Sequence, residues 1–290
     1  MPAESLARTI FINRADQKLR SGWAIAVFFL AALGFGALLA LLHHELHLPS
    51  IVALWLYFGV SLAATLVGVR VMRQPFGAAG FSDAQAGGRA AVGFGMGALL
   101  VAVVVGLPFL VHRLGLAGPS GPARQLAQAG AYQLALIAPP SAAEEVFMRG
   151  FFLRQLTRGI NQIAAVLITG SLFGLLHMFN PNVVWLGIVN IVLVGIWLGL
   201  LVVRTGSLWL TMGLHVAWNW VEGWVFGQAV SGQALGTPLL RATWGDSLFW
   251  TGGRFGPEAS GLCTIVLAAA LAVTLAWPGW QREPRPEPVV

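Results

Sequence analysis

Apolar blocks of about 20 residues, separated by short polar connections, recur from residue 22 almost to the end of the chain. A helix needs about 20 such residues to cross a bilayer. Eight stretches qualify, near 22–42, 51–69, 90–111, 131–153, 161–178, 184–203, 207–227 and 259–279. Backbone polar groups must be satisfied internally in lipid, so each stretch reads as a helix. The pattern predicts an all-α fold: a polytopic integral membrane helical bundle of about eight transmembrane helices. The first stretch is too long for a signal-peptide core and lacks a small-residue cleavage site after it. It reads as a retained anchor.

Composition sharpens this picture. Hydrophobic residues make up 57 % of the 290 and charged residues 10 %, where a soluble domain carries about a quarter charged. A soluble or disordered protein is excluded. The net charge of +6 would suggest nucleic acid in a soluble domain. Here the basic residues lie in short connections, so they read as topology signals and no nucleic-acid partner is expected. With the N-terminus in the cytoplasm, the inner segments hold Arg8, Arg14, Lys18, Arg20, Arg70, Arg73, Arg89, Arg154, Arg158, Arg204, Arg282 and Arg285. The outer segments hold Arg113, Arg124, Arg241 and Arg254. That bias supports an even number of crossings with both termini cytoplasmic, in a multi-pass protein of the cell membrane. The single cysteine, Cys263, excludes a disulfide framework and a thiolate zinc site within one chain.

Three regions follow. Residues 1–130 hold three spans and an interfacial connection, with 119–133 polar enough to lie at the membrane surface. Residues 131–227 hold four spans and nearly all the intramembrane polar groups. Residues 228–290 hold an outer loop, the last span and a Pro- and Glu-rich tail expected to be disordered. Gly93, Gly95 and Gly97, and Gly195 with Gly199, suit close helix packing.

An ionisable group inside a span is costly and asks for a reason. The spans hold Glu144, Glu145 and Arg149, then His177, then His215 and Glu222, with Asn190 and Asn219 uncharged. Glu145 and Arg149 are four apart and share a helical face, so they can neutralise one another. Glu144 is rotated by about 100° and is left without that partner. Pro139 and Pro140, just upstream, are expected to kink the helix and open the bundle. His215 and Asn219 share a face, with Glu222 at the next turn. A structural reading would make Glu145–Arg149 a buried ion pair, His177 an interfacial residue, and His215 and Asn219 interhelical hydrogen-bonding groups. Taken together, a spare carboxylate, two imidazoles and an amide can activate a water and stabilise an oxyanion.

Two clusters carry less. His43, His44, Glu45 and His47 lack the His-Glu-x-x-His order of zinc peptidases and sit where the first span meets the outer side. Gly118-Pro119-Ser120-Gly121 reads as a turn rather than a serine-protease element, and Cys263 as apolar packing.

The order Glu144-Glu145-Val-Phe-Met-Arg149, then Phe173-Gly-Leu-Leu-His177, then His215-Val-Ala-Trp-Asn219 resembles the CPBP family of intramembrane proteases, which includes the type II CAAX prenyl endopeptidases. Arg204-Thr-Gly-Ser-Leu-Trp209 adds to the likeness, which covers about 140–225. The resemblance implies an endopeptidase with a cavity inside the bilayer, cutting a membrane-associated, lipidated or leader-type peptide. Glu144 and His177 would position and activate water. His215 and Asn219 would bind the oxyanion, supported by Glu145, Arg149 and Phe173. The family has been read both as metalloproteases and as glutamate-type proteases. Glu144, His177 and His215 would make a three-ligand site for a divalent metal such as zinc. A carboxylate that ligates zinc is then unavailable as base unless Glu145 or Glu222 serves. The alternative is a non-catalytic membrane scaffold or immunity-type factor that keeps the polar site. A proton or ion transporter is less favoured, since no inverted repeat is present. Depth tests the constellation: counted along their helices, His177 lies about 24 Å and His215 about 12 Å from the inner ends.

Overall fold

The computed structural model describes residues 10–13, 15–119, 121–244 and 247–277. The basic residues Arg8, Arg14, Arg282 and Arg285, the turn residue Ser120 and the Pro-rich tail lie outside them. All eight apolar stretches form helices. The α-helices among the described residues are α1 (Ser21–Leu46), α2 (Ser50–Val71), α3 (Ala86–Leu110), α4 (Ala123–Glu145), α5 (Leu153–Gly159), α6 (Gln162–Leu176), α7 (Trp185–Thr205), α8 (Leu208–Trp220), the short α9 (Leu248–Thr251) and α10 (Gly261–Ala276). A π-helical turn, Val146–Phe152, joins α4 to α5, and another, Val221–Val225, extends α8. Five helices are long and apolar enough to cross a membrane: α1, α2, α3, α6 with its following turn, and α7. The expected eight therefore reduce to five by that measure. Of the other three, α4 is rich in polar residues, and α8 and α10 have 13 and 16 residues. Large apolar side chains such as Leu30, Leu33, Leu99, Leu110 and Ile163 are more than half exposed on the outer surface. That arrangement suits lipid rather than water as the solvent. The chain is a multi-pass membrane protein.

The fold departs from the sequence reading in three places. Residues 123–133, expected to precede the fourth helix, form its first turns, with most of their side chains exposed. The outer connections form a two-stranded antiparallel sheet, β1 (Leu114–Ala117) with β2 (Arg241–Trp244), so the fold is not purely helical. Pro139 and Pro140 sit inside α4, which runs on past them; the backbone leaves helical geometry later, at Gly150 (φ −75°, ψ −111°). Prolines are tolerated in membrane helices when neighbouring elements satisfy the carbonyls they free.

Glycines set the closest helix approach. A Cβ at Gly93 would stand 2.0 Å from the Leu210 carbonyl oxygen, and one at Gly97 would stand 2.2 Å from that of Leu214. Only glycine lets α3 lie against α8 in this way. Gly95 faces open space. Capping side chains start three helices, α6, α8 and α10: Asn161 accepts from Ala164 N–H, Ser207 from Trp209 N–H and Ser260 from Cys263 N–H.

The basic residues assigned to the inner side gather at one end of the bundle. Arg89 donates to Thr205 O (2.8 Å), Arg154 to Gly206 O (2.9 Å) and Arg158 to Leu19 O (3.2 Å). Arg204 donates to the carbonyls of Thr274 and Trp277. Arg158 also pairs with Asp16 and holds that carboxyl below the usual carboxylate range. Arg158 and Arg204 thus bring Leu19, before α1, and Trp277, after α10, to the same end of the bundle.

Candidate functional site

The site begins where α4 ends. Arg149 lies one turn beyond Glu145, fully buried, and its Nη1 donates to Glu145 Oε1 at 3.0 Å. Its Nη2 donates to the backbone carbonyl of Gly195 on α7 at 3.2 Å. Its guanidinium lies 4.2 Å from the centre of the Phe173 ring. A buried arginine needs this many partners, because an unpaired charge at membrane depth is costly.

Glu145 Oε1 also accepts from His215 Nδ1 at 3.1 Å. A carboxylate bound to a guanidinium only accepts, so the His215 proton sits on Nδ1 and Nε2 faces the other way. There it lies 3.8 Å from Glu144 Oε2. That gap exceeds a hydrogen bond, but an oxygen atom seated beside it can reach both groups. Glu144 is about one-third exposed, towards a cleft of about 780 Å³ that His177, His215, Asn219 and Ser141 also line. His177 Nδ1 donates to Phe173 O at 2.7 Å, which fixes the ring and leaves Nε2 as its free nitrogen. Asn219 donates to Ser141 Oγ at 3.0 Å.

All four candidate catalytic residues, Glu144, His177, His215 and Asn219, therefore meet at one cleft. α5 accounts for part of the difference in depth. Arg154 is level with the α7–α8 turn at Gly206, and α5 continues to Gly159 before α6 begins at Gln162. Five further residues add about 7 Å, so α6 starts lower than α8. His177 and His215 consequently flank the same Phe173 ring, at 4.8 and 5.9 Å between centroids.

The metal set expected from the sequence is Glu144, His177 and His215. Among the described residues no group of three or more His, Cys, Asp or Glu side chains is placed to share an ion. His177 and His215 each donate from Nδ1 to a protein oxygen and keep Nε2 free, as a metal-ligating histidine also does. Neither alternative base is available: Glu145 is bound to Arg149, and Glu222 is fully buried and lines neither cavity at the site. The Glu222 carboxylate has no partner in hydrogen-bond geometry, its nearest donors being the Trp218 indole and the Glu258 amide.

A second, smaller chamber of about 40 Å³ adjoins the cleft, and Phe173, His177, His215, Asn219 and Ser231 line both. Its further polar wall comes from residues that sequence reasoning missed. Glu258 Oε2 accepts from Ser231 N–H (2.6 Å) and from the Ser231 hydroxyl (2.7 Å). Asn190, on α7, donates to the carbonyls of Glu258 (2.7 Å) and Ser260 (3.0 Å), and Asn180 donates to Ser231 O. Burial pushes the Glu258 carboxyl above the usual carboxylate range, opposed by the Ser231 hydrogen bonds and the nearby histidines. No motif marks Glu258 or Ser231; both come from the outer loop.

The fold and this network define a multi-pass helical membrane protein with a Glu–His cleft held by a buried Glu–Arg pair. Residues 127–221 match the family described as type II CAAX prenyl endopeptidase Rce1-like. This confirms for that segment the CPBP likeness read from the three motifs. The chain is also 38 % identical over 93 residues to the uncharacterized protein YyaK of Bacillus subtilis (strain 168). That alignment spans 30 % of each chain. No solved structure matches.

Proposed function

We propose that the protein is an intramembrane endopeptidase in which Glu144 activates water. The observation that carries this reading is the 3.8 Å gap between Glu144 Oε2 and His215 Nε2, opening into a cleft that His177 and Asn219 share. Glu144 takes a proton from a water whose position His177 Nε2 helps to fix. The resulting hydroxide adds to the peptide carbonyl carbon. The oxyanion forms beside His215 and Asn219. With Glu145 on one nitrogen and Glu144 near the other, the His215 ring can carry a second proton and donate from Nε2. Glu144 then gives its proton to the departing amine, and the C–N bond breaks. The Glu145–Arg149 pair orients His215.

The substrate is a membrane-associated peptide, because the cleft walls also include Phe29, Leu33, Leu54 and Tyr57 from α1 and α2. The family match supports a lipidated or leader-type peptide as its class. Purified protein in liposomes carrying a farnesylated peptide library tests the reading by mass spectrometry. Glu144→Gln should lower cleavage by about 10²-fold or more, in line with loss of a general base, while eluting as a monodisperse folded protein. Unchanged cleavage by that variant rejects the assignment.

A further inference from the structure

The small chamber raises a question that the catalytic scheme leaves unanswered: what meets the charge of Glu258. Both Ser231 hydrogen bonds go to Oε2, and Oε1 receives none. Among the described residues Glu258 forms no ion pair with any Lys, Arg or His. A carboxylate at the edge of a bilayer-embedded cavity with one bare oxygen is relieved either by a proton or by a cation that reaches it. The carboxylate is also held firmly. Asn190 ties its backbone to α7 and accepts from Thr264 on α10. Ser231 is fixed by Asn180, and Gly232 N–H donates to Phe255 O.

We propose that Glu258 is a specificity determinant that binds an alkylammonium group of the substrate next to the scissile bond. This rests on the endopeptidase reading. His177, His215 and Asn219 line the same chamber, so a group seated there is within a residue or so of the reacting carbonyl. At about 10–15 Å³ per water-sized group, 40 Å³ admits about three, enough for an ammonium and the end of its stem. The apolar walls from Ile191, Leu214 and Leu267 suit a methylene stem, as in the packing of lysine side chains. Glu258 and Ser231 lie beyond residue 221, so this feature sits outside the matched family segment.

The test uses full-length protein in liposomes and farnesylated peptides in matched sets. Each set carries lysine, norleucine or glutamate at positions flanking the cleavable bond, with free or acetylated N-termini. Wild type should cleave the lysine peptides at least tenfold faster than their norleucine counterparts. N-terminal acetylation should leave that ratio unchanged, because both peptides of a pair carry the same terminus. Glu258→Gln, which keeps an acceptor for Ser231, should bring the lysine-to-norleucine ratio to about one. Glu258→Lys should favour the glutamate peptides. Glu45→Gln, at an exposed remote carboxylate, should change neither ratio. Wild-type cleavage without charge preference overturns the proposal and leaves the hydrolase reading standing. Absence of any Glu144-dependent cleavage counts against the hydrolase reading instead. Binding then decides this proposal: the uncut lysine peptide should bind Glu144→Gln at least tenfold more tightly than Glu144→Gln/Glu258→Gln, and equal affinities overturn it.

Discussion

Arg149 shows how one side chain can hold a site together without touching a substrate. It neutralises Glu145, braces α7 through Gly195 O and lies over Phe173. Removing it leaves Glu145 as an uncompensated buried charge, which typically costs about 3–5 kcal/mol. Arg149→Met should therefore lower the thermal midpoint sharply in detergent. Glu145→Gln/Arg149→Met should recover much of that stability but not the cleavage activity, because His215 loses its fixed proton. A double variant as unstable as Arg149→Met alone would show that the guanidinium acts mainly through Gly195 and Phe173. At this scale much was legible in advance. The four-residue spacing announces the Glu145–Arg149 pair, and adjacency alone turns Glu144 away from it. Glu258 and Ser231 were not legible, because a loop residue has no periodicity to reveal what it faces. The Ser231 contact spans 27 positions in sequence.

The elements obey the apolar pattern closely, and their departures have physical causes. A lone helix is expected to break or kink at the prolines, whereas α4 stays helical through them and the backbone leaves helical geometry at Gly150, in the π turn that follows. The tilt and offset that bring His177 level with His215 arise in part from the length of α5, which hydropathy does not report. Glycine spacing, in contrast, was informative. Gly93 and Gly97 set the α3–α8 contact directly behind His215. Gly97→Ala would force a Cβ to within 2.2 Å of Leu214 O. Moving a packed backbone to accept it costs about 1–3 kcal/mol. The neighbouring Gly95→Ala meets nothing within 4 Å and should be neutral or slightly stabilising by helix propensity. Thermal unfolding of the two variants side by side checks this, and equal midpoints would mean that α3 and α8 are free to separate.

For the molecule as a whole, the arginine contacts decide more than the count of spans. Arg89, Arg154, Arg158 and Arg204 each donate to carbonyls near the start or end of another crossing. They tie the segment before α1, the α2–α3, α5–α6 and α7–α8 connections and the end of α10 into one layer. The β1–β2 pair and the loop carrying Glu258 then belong to the opposite layer. α8 with its π turn runs from 208 to 225 and α10 over 16 residues, about 27 and 24 Å. Both approach the thickness of a hydrocarbon core of about 30 Å, so each can reach across with modest thinning or exposed ends. From the excess of basic residues we propose that the arginine layer faces the cytoplasm. Single cysteines introduced into a Cys263→Ser background test this with a membrane-impermeant maleimide. Gln85→Cys should label only from the cytoplasmic face and Ala123→Cys only from the other. Labelling of both from one face would break the alternation and place the Glu258 loop on the same side as the arginine layer. The substrate's charged group would then have to approach the small chamber from the opposite direction.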